Sequence, residues 1–397
     1  MRQYVDGIYI NCVSIVTEIV KMDFPRLLET PILAALQAQK VVLLLGSRRV
    51  GKTRLLKRIQ QLQNEPVLFL NGDDLDAHSL LAERSISNYR RLLGNTRFLI
   101  LDEAQEIPDI GKKLKLMVDE IEGLKVLASG SSAFELQNQM GEPLVGRMKT
   151  FRMHPIAHSE LLFSLSVPEV KTGLEERLVL GSYPELFHLR DWDEKAAYLK
   201  ELVQVYLIKD ILAFEGVRKR EIILQLLRKL AFRSGSEISL ESLGNELQIS
   251  KNTVEKYLDL FRGVFIVYDL PGFSRNLDSE MTKKRKWYFW DNGIRNALTG
   301  NFQRLSQRED QGLLWENYMQ AERLKRNQYA QENILSYFWR THSQQEIDLI
   351  EAEGDALEAF EFKWGQSAAK VPPLFSKNYP GASFTCVHPG NYLDFIG

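Results

Sequence analysis

The sequence predicts an α/β fold: a parallel sheet with crossover helices, then a helical connector, a winged helix and a small α/β domain. Three observations lead to it. Between about residues 25 and 155, apolar runs alternate with amphipathic stretches, as a parallel sheet with crossover helices requires. The stretch 46–53 reads G-x-x-x-x-G-K-T between one such run and one such stretch. After residue 310 a helix precedes three short strand-like segments.

The first domain is predicted over residues 22–155. Its strands are expected at 41–45, 66–71, 98–101, 125–129 and 149–153. Continuous apolar runs such as Val41 to Leu45 are typical of strands buried on both faces. The stretch 54–62 has the apolar spacing of an amphipathic helix.

Two further segments separate this domain from the C-terminal one. Leucine-rich helical patterns fill 156–235 and break at 181–184, which predicts a connector or lid. A winged helix is predicted over 236–300, with helices at 239–247 and 249–260 and strands at 265–270 and 286–290. Ser250 is the expected N-cap of the second helix.

Bulk composition narrows the class of protein. The 397 residues suggest two or three domains, and a net charge of −1 means that any nucleic-acid binding must use local patches. Two cysteines, Cys12 and Cys386, argue against a disulfide framework or a cysteine zinc site. No membrane-length apolar stretch or convincing leader is present, so a soluble cytoplasmic protein is expected. Residues 1–21 are predicted to be an upstream extension or a poorly ordered arm, because Met22 would make a natural start.

The glycine-rich stretch predicts nucleotide binding. Its backbone N–H groups, with the following helix N-terminus, suit phosphate oxygens. Lys52 is expected at the β- and γ-phosphates, and the Thr53 hydroxyl on Mg²⁺. The alternative is a purely structural turn. The predicted nucleotide contacts are Gly46, Ser47, Arg48, Arg49, Val50, Gly51, Lys52, Thr53 and Arg54.

An acidic pair follows the third predicted strand. Asp102 is placed to hold Mg²⁺, directly or through water, and Glu103 to polarise an attacking water. Alternatively, these acids cap the next segment. With the glycine-rich stretch, the pair favours hydrolysis over mere binding.

Two more polar sites are candidates for catalysis. Ser129 or Ser131 could bond the γ-phosphate or the water, and Ser131 or Ser132 could instead, or also, cap a helix. Arg147 could neutralise charge on the transferred phosphoryl group, within its own subunit or on a neighbour in an oligomer. A structural salt bridge is the alternative for Arg147.

The winged helix predicts DNA as a partner. Lys251, Asn252 and Lys256 lie near the start of its second helix, where base or phosphate contacts fall. Residues 283–285 form a basic wing. Winged helices also serve as protein-packing modules, and a basic turn is often only solvated.

The domain at 310–397 carries a charged constellation. Strands are expected at 335–341, 345–350 and 356–364, and alternation places Glu361 and Lys363 on one face. Asp348 and Glu361 could hold Mg²⁺, Lys363 could activate water, and Glu316 could complete the shell. This set suits metal-assisted phosphodiester cleavage, although Glu-x-Lys is also common on solvent-facing strands.

Several short motifs from about residue 22 onward share a family pattern. They are Pro25-Arg26, 46–53, 101–105, 129–131, Gly146-Arg147, 181–184, Tyr206 with Asp210, 288–291 and 315–317. With them the chain resembles a family of bacterial and archaeal AAA-like ATPases that join a phosphate-loop domain to a winged helix and a C-terminal domain of unknown function. The resemblance implies a P-loop NTPase sheet of the additional-strand type, with Glu103 as catalytic glutamate. It also implies a restriction-endonuclease-like last domain with Asp348, Glu361 and Lys363 at the matching positions.

These observations predict a Mg²⁺-dependent ATPase coupled to DNA, or to a nuclease-like domain acting on it. Two alternatives stay open: an ATP-driven signalling or defence switch that works through protein contacts, and an ATP-gated nuclease. Pro372-Pro373 departs from the family pattern, because it interrupts the helix expected after the third strand and predicts a reduced C-terminal unit.

Overall fold

The computed structural model describes residues 24–131, 144–207, 211–212, 220–274, 285–341, 343–365 and 368–397. The predicted extension at 1–21, the wing lysines Lys283 and Lys284, the alternative cap Ser132 and Asp210 lie outside these residues. Among the helices of these ranges, none combines the length and apolarity needed to span a bilayer.

A five-stranded parallel sheet forms the centre of the first domain and confirms the predicted fold class. Its strand order is β2-β3-β4-β1-β5, and every neighbouring pair is parallel. All five predicted strands are present within one residue at each end. They are β1 (Lys40–Leu45), β2 (Val67–Asn71), β3 (Phe98–Asp102), β4 (Lys125–Gly130) and β5 (Met148–Arg152).

Helices cover both faces of this sheet, which explains why β1 is apolar throughout rather than alternating. Val42 and Leu44 share one core with α2, whereas Val41 and Leu43 share another with α5. The helices are α1 (Glu29–Ala35), α2 (Lys52–Gln61), α3 (Leu75–Ala82), α4 (Ile86–Leu93) and α5 (Ile110–Glu120).

The connector is helical and changes direction at Gly181, where α8 ends and a short 3-10 turn, Pro184–Phe187, follows. A π-helical stretch, Leu202–Leu207, extends the next helix. The helices are α6 (His158–Leu161), α7 (Val167–Thr172), α8 (Leu174–Leu180), α9 (Trp192–Glu201) and α10 (Arg220–Phe232).

A helix pair and a hairpin follow. Ser250 caps the second helix as predicted, accepting a hydrogen bond from the Thr253 N–H. The second hairpin strand is deeply buried, with Tyr288 and Phe289 fully excluded from solvent. The elements are α11 (Leu240–Leu247), α12 (Lys251–Gly263), antiparallel β6 (Val267–Pro271) and β7 (Arg285–Phe289), and α13 (Asn292–Thr299).

The C-terminal unit is a four-stranded mixed sheet in the order β11-β10-β9-β8. The prediction that Pro372-Pro373 interrupts its helix is wrong: Pro372 is the N-cap and Pro373 the first helical residue, where a proline lacks no hydrogen bond. The elements are α14 (Gln311–Tyr329), β8 (Leu335–Arg340), β9 (Glu346–Glu353), β10 (Ala356–Phe362), α15 (Pro373–Asn378), β11 (Ser383–Val387) and α16 (Tyr392–Ile396).

Candidate functional site

The glycine-rich loop lies between β1 and α2, at the carboxyl edge of the parallel sheet. Gly51 is the N-cap of α2 with φ +99°, a conformation that favours glycine. At Gly46 a Cβ would lie 2.3 Å from the Met153 carbonyl oxygen. The two glycines therefore fix both ends of the loop, and a side chain at either position would displace it.

Lys52 is held inside this loop and is only 4% exposed. Its ammonium donates to the carbonyl oxygens of Gly46 at 2.9 Å and Ser47 at 3.1 Å. The cation is thus aligned with the first turn of α2, where backbone N–H groups and the helix dipole add positive potential.

Thr53 and Asp102 come together from α2 and β3. The Thr53 hydroxyl donates to Asp102 Oδ2 at 2.6 Å, and the hydroxyl of Ser129 donates to the other carboxylate oxygen. Hydroxyl and carboxylate oxygens are the ligands that Mg²⁺ takes beside substrate phosphates. The two residues therefore fit a magnesium site of the predicted kind.

Glu103 follows Asp102 in a left-handed conformation, φ 46°. Its N–H donates to Ser129 Oγ at 3.1 Å, and its carboxylate accepts a 2.6 Å hydrogen bond from the Gln105 amide. The two serine candidates thus differ: Ser129 braces the acidic pair, whereas Ser131 lies 3.5 Å from Gln105 Nε2. Whether Ser131 also caps a helix falls outside the described residues.

A cleft of about 840 Å³ opens beside the loop. Glu103 lies on its wall. The 3-10 turn after Gly181 contributes Pro184 and Glu185, and His188 follows that turn. Cations outnumber acids, so the cleft attracts anions. Its basic side chains are Arg48, Arg49, Lys52, Arg54, Lys57 and Arg58.

A smaller recess of about 150 Å³ adjoins the cleft and shares Gly51 and His188 with it. Its apolar lining comes from several separate segments of the chain. Those side chains are Phe24, Pro25, Val50, Leu55, Ile156 and Pro184.

Arg26 holds the loop in place through hydrogen bonds. The sequence analysis did not predict this role. The guanidinium donates to the Val50 carbonyl and to the His154 carbonyl, both at 2.6 Å. It also pairs with the fully buried Glu160 at 2.9 Å and lies 3.5 Å from the Tyr329 hydroxyl. No local pattern reveals these partners, because the nearest is 24 residues away.

A second unpredicted contact comes from the connector. Tyr183 Oη lies 3.0 Å from Ser47 Oγ in the loop. The preceding residue, Ser182, donates its N–H to Asp291 Oδ2 at 2.7 Å. Burial raises the pKa of Asp291 to about 6, against the lowering effects of Lys325 and the backbone donors.

Arg147 lies at the wrong edge of the sheet for a catalytic role in its own chain. Its carbonyl accepts from the Val41 N–H at the start of β1, whereas the loop follows Leu45, roughly 15 Å away at the rise of a strand. Its guanidinium pairs with Asp119 at 2.8 Å. The prediction of an arginine finger within the same subunit is contradicted, and the salt bridge is what forms.

The predicted C-terminal residues lie close to one another. Asp348 Oδ2 accepts from the Phe362 N–H at 2.9 Å, next to Glu361, which pairs with Lys363 at 2.7 Å. Burial, followed by the nearby charges of Glu316 and Glu361, raises the pKa of Asp348 well above its usual value. Burial also raises the pKa of Glu316.

Lys286 of β7 is the member of this cluster that the sequence did not reveal. It is 2% exposed, pairs with Glu346 and lies 3.8 Å from Glu316. Burial opposes its charge, but Glu316, Asp348 and Glu346 outweigh burial and raise the pKa of Lys286.

No group of three or more His, Cys, Asp or Glu side chains in the described ranges is arranged to hold a metal ion. The expected shell of Asp348, Glu361 and Glu316 is therefore not formed. Glu361 is neutralised by Lys363, and Glu316 accepts from the Tyr288 hydroxyl at 2.7 Å with Lys286 close by.

The helix pair presents part of its predicted surface. Asn252 and Lys256 are exposed on α12, whereas Lys251 lies 3.4 Å from Glu241. Arg285, at the base of the predicted wing, pairs with Asp269.

Family comparisons divide the chain into three parts. Residues 38–162 match the model of an AAA domain. Residues 171–305 match a domain of unknown function (DUF8612), and 311–384 match another (DUF4143).

Similar whole proteins are uncharacterized. One from Mycobacterium tuberculosis is 29% identical over 326 residues, covering 81% of this chain and 69% of the relative. One from Haemophilus influenzae is 23% identical over 280 residues, covering 64% and 68%.

Among solved structures, a signal transduction ATPase with numerous domains and a tetratricopeptide repeat sensor, from Pyrococcus horikoshii, aligns with a TM-score of 0.31 and 12% identity. The alignment covers 77% of this chain and 46% of that one. A Bacteroides Pif1 helicase in complex with ADP-AlF3 and single-stranded DNA aligns with a TM-score of 0.26 and 17% identity, covering 46% and 50%. The present chain thus spans half or less of each solved chain. The match at 38–162, the loop around Lys52 and the Asp102–Glu103 pair together support an AAA-like ATPase.

Proposed function

We propose that the protein binds ATP with Mg²⁺ in the cleft and hydrolyses it. The observation that carries this proposal is the convergence of Lys52, Thr53, Asp102 and Glu103 at one edge of the sheet, with Thr53 and Asp102 2.6 Å apart. A structural glycine turn would not need a buried lysine, a hydroxyl and an acid at the same electropositive cleft, with a second, buried acid bonded to that hydroxyl.

The chain's own groups supply positioning and charge. Lys52 and the loop N–H groups would hold the β- and γ-phosphates. Thr53 and Asp102 would hold Mg²⁺, which when bound neutralises charge on the phosphates. Glu103 accepts the proton of the attacking water as its oxygen bonds to the γ-phosphorus, and the bridging bond breaks with its electrons passing to ADP.

The adjoining recess is suited to the nucleobase. Phe24, Pro25 and Ile156 offer apolar surface, and His188 adds a ring at the border with the cleft. A flat base buried there would place its triphosphate toward Gly51 and Lys52.

Hydrolysis is then coupled to the rest of the chain. Two contacts described above support the coupling: Tyr183 with Ser47, and Arg26 with Tyr329 at the end of α14. Both contacts join the loop to later parts of the chain. A change in loop conformation on nucleotide binding would therefore be transmitted through them. DNA is the proposed partner at the first two turns of α12, where Asn252 and Lys256 are exposed.

A specific observation favours a second candidate, an ATP-driven switch that works through protein contacts without nuclease activity. The hairpin strand β7 is buried, and Lys286 supplies a cation to the acidic cluster around Asp348. A hairpin that packs against the rest of the protein leaves less of the winged-helix surface available to contact DNA. A carboxylate cluster that is already paired with a lysine does not require a metal ion to balance its charge.

An ATPase assay with and without DNA tests the main proposal. Lys52→Ala should abolish ATP binding, and Glu103→Gln should bind ATP but lose about 100-fold or more in kcat. Glu106→Gln, an exposed acid on the same turn, is the matched control and should match the parent. Equal turnover in Glu103→Gln and parent would refute the assignment.

A plasmid-cleavage assay in Mg²⁺ or Mn²⁺ separates the two candidates. Cleavage that Lys363→Ala removes would support the nuclease-like role. An ATP hydrolysis rate that DNA does not change, together with an uncleaved plasmid, would support the switch.

A further inference from the structure

The outer strand of the parallel sheet has one open edge. Among the described residues, β5 is the last strand in the order β2-β3-β4-β1-β5 and pairs only with β1. At one end of this pair the Val41 N–H donates to the Arg147 carbonyl, and at the other the Met153 N–H donates to the Leu45 carbonyl. Alternate residues of a strand point their N–H and C=O groups at the same neighbour. The residues of β5 whose backbone faces away from β1 are therefore Met148, Thr150 and Arg152.

A groove runs along this open edge. It consists of two cavities of about 340 Å³ and 470 Å³ that share Lys149 and Gln331 in their lining. The first cavity reaches Arg152 and the second reaches Gly146, so together they follow roughly 20 Å of extended chain. The side chains that line the groove beside the strand are small and apolar from α1 and amides from the end of α14 and the turn after it. They include Pro31, Ala34 and Ala35 from α1, and Gln328, Gln331 and Asn333 from the second segment.

The charge of the groove indicates which strand fits it. Lys40, Lys149 and Arg152 are exposed along its length, whereas Glu332 is the one acid in its lining. Cations spread from one end of the strand to the other attract an acidic ligand. Pairing with β5 of a second copy would bring the same cations to both strands, and like charges across a strand pair are destabilising.

We propose that β5 accepts an extended acidic segment of a partner protein as a sixth strand of the sheet. The backbone of that segment pairs with the outward N–H and C=O groups around Thr150, which gives affinity through main-chain hydrogen bonds. Its acidic side chains pair with Lys149 and Arg152, and the small side chains of α1 leave room for its apolar ones. The groove shares no lining residue with the nucleotide cleft, so the proposal does not depend on ATP hydrolysis.

Panning a random peptide library displayed on phage against the full chain identifies a ligand, which is then made as a synthetic peptide. Acidic peptides should be enriched. Thr150→Pro should weaken binding of the synthetic peptide by about 10-fold or more, because it removes an outward N–H and places a ring in the path of the added strand. Proline is tolerated at such an edge position. Thr150→Val keeps the N–H and a β-branched side chain, so this matched control should bind like the parent.

Reversing a charge tests the acidic character of the partner. Arg152→Glu should weaken binding of the acidic peptide by about 10-fold, and it should bind a peptide with lysines in place of the acids more tightly than the parent does. Lys377→Glu makes the same change at an exposed position of α15 that does not line the groove. This control should leave both affinities unchanged.

Circular dichroism checks that each variant is folded, and if Thr150→Pro is not, the comparison of Arg152→Glu with Lys377→Glu decides. A library that enriches no acidic peptide would overturn the proposal. So would an enriched peptide that Thr150→Pro and Arg152→Glu both bind as tightly as the parent. A dimer of the parent that Thr150→Pro dissociates would assign the open edge to a second copy of the chain instead.

Discussion

The hydroxyl of Tyr183 lies 3.0 Å from the hydroxyl of Ser47, so the connector closes directly on the phosphate loop. Tyr183 is 2% exposed and Ser47 is 1% exposed, which shields the contact from competing water. This pair ties the phosphate loop to a residue 136 positions further along the chain.

Tyr183→Phe should weaken ATP binding by about 3- to 10-fold, since one buried hydrogen bond contributes about 1 kcal/mol. Titration with a fluorescent ATP analogue measures it. Tyr337→Phe on β8, in the C-terminal sheet, is the control and should bind like the parent. An unchanged affinity in Tyr183→Phe would mean that the loop conformation does not depend on this hydroxyl.

Arg26→Ala should destabilise the protein by about 3–5 kcal/mol, because it leaves the buried Glu160 without its cation. Arg26→Ala/Glu160→Ala should recover part of that loss. Guanidinium unfolding measures both. Arg58→Ala, which breaks a more exposed pair with Glu29, should cost no more than about 1 kcal/mol. A similar cost for Arg26 and Arg58 would contradict the bracing role.

Asp291 should give the protein a measurable pH dependence of stability. Its pKa rises from 3.8 to about 6 on folding, so between these values the folded protein binds more protons than the unfolded chain. The free energy of unfolding therefore falls as pH rises through this window, by about 3 kcal/mol in all. Unfolding from pH 3.5 to 7 in parent and Asp291→Asn isolates this contribution, because the variant lacks it. Parallel curves would place the Asp291 pKa near its ordinary value.

Lys286→Met should destabilise the protein at pH 7 by about 3–5 kcal/mol, because buried Asp348 and Glu316 lose their cation. Adding Glu346→Gln to Lys286→Met should restore part of the loss, since it removes one of the acids left facing the gap. Denaturation midpoints of the two single variants and the double variant give the coupling. Additive effects would show that Lys286 and Glu346 act independently.

The sheet and its phosphate loop were predictable because they follow local rules. Continuous apolar runs identify strands buried on both faces, and Gly46 to Thr53 carries its own spacing. The position of Arg147 could also have been predicted. It precedes the fifth strand, and in a parallel sheet that position lies at the amino edge, away from the loop. Pro373 could likewise have been recognised as a helix start.

Other features depend on contacts that no local pattern contains. Arg26 meets Tyr329 across 303 residues, and Lys286 reaches the acidic cluster from another segment. The amide of Gln105 is visible in the sequence, but its hydrogen bond to Glu103 depends on the left-handed backbone at Glu103. Such features are decided by how the domains pack.

Strand β7 has a consequence for any attempt to divide this chain. The N–H and C=O of Phe289 are both bonded to Asn317 of α14, and the Trp287 carbonyl accepts from Gly235 after α10. One family match ends at residue 305 and the next begins at 311. A cut between them would nevertheless remove α14, whose Asn317 bonds to the aromatic strand β7. A fragment that stops there should aggregate, so the boundary of sequence similarity is not a boundary of folding.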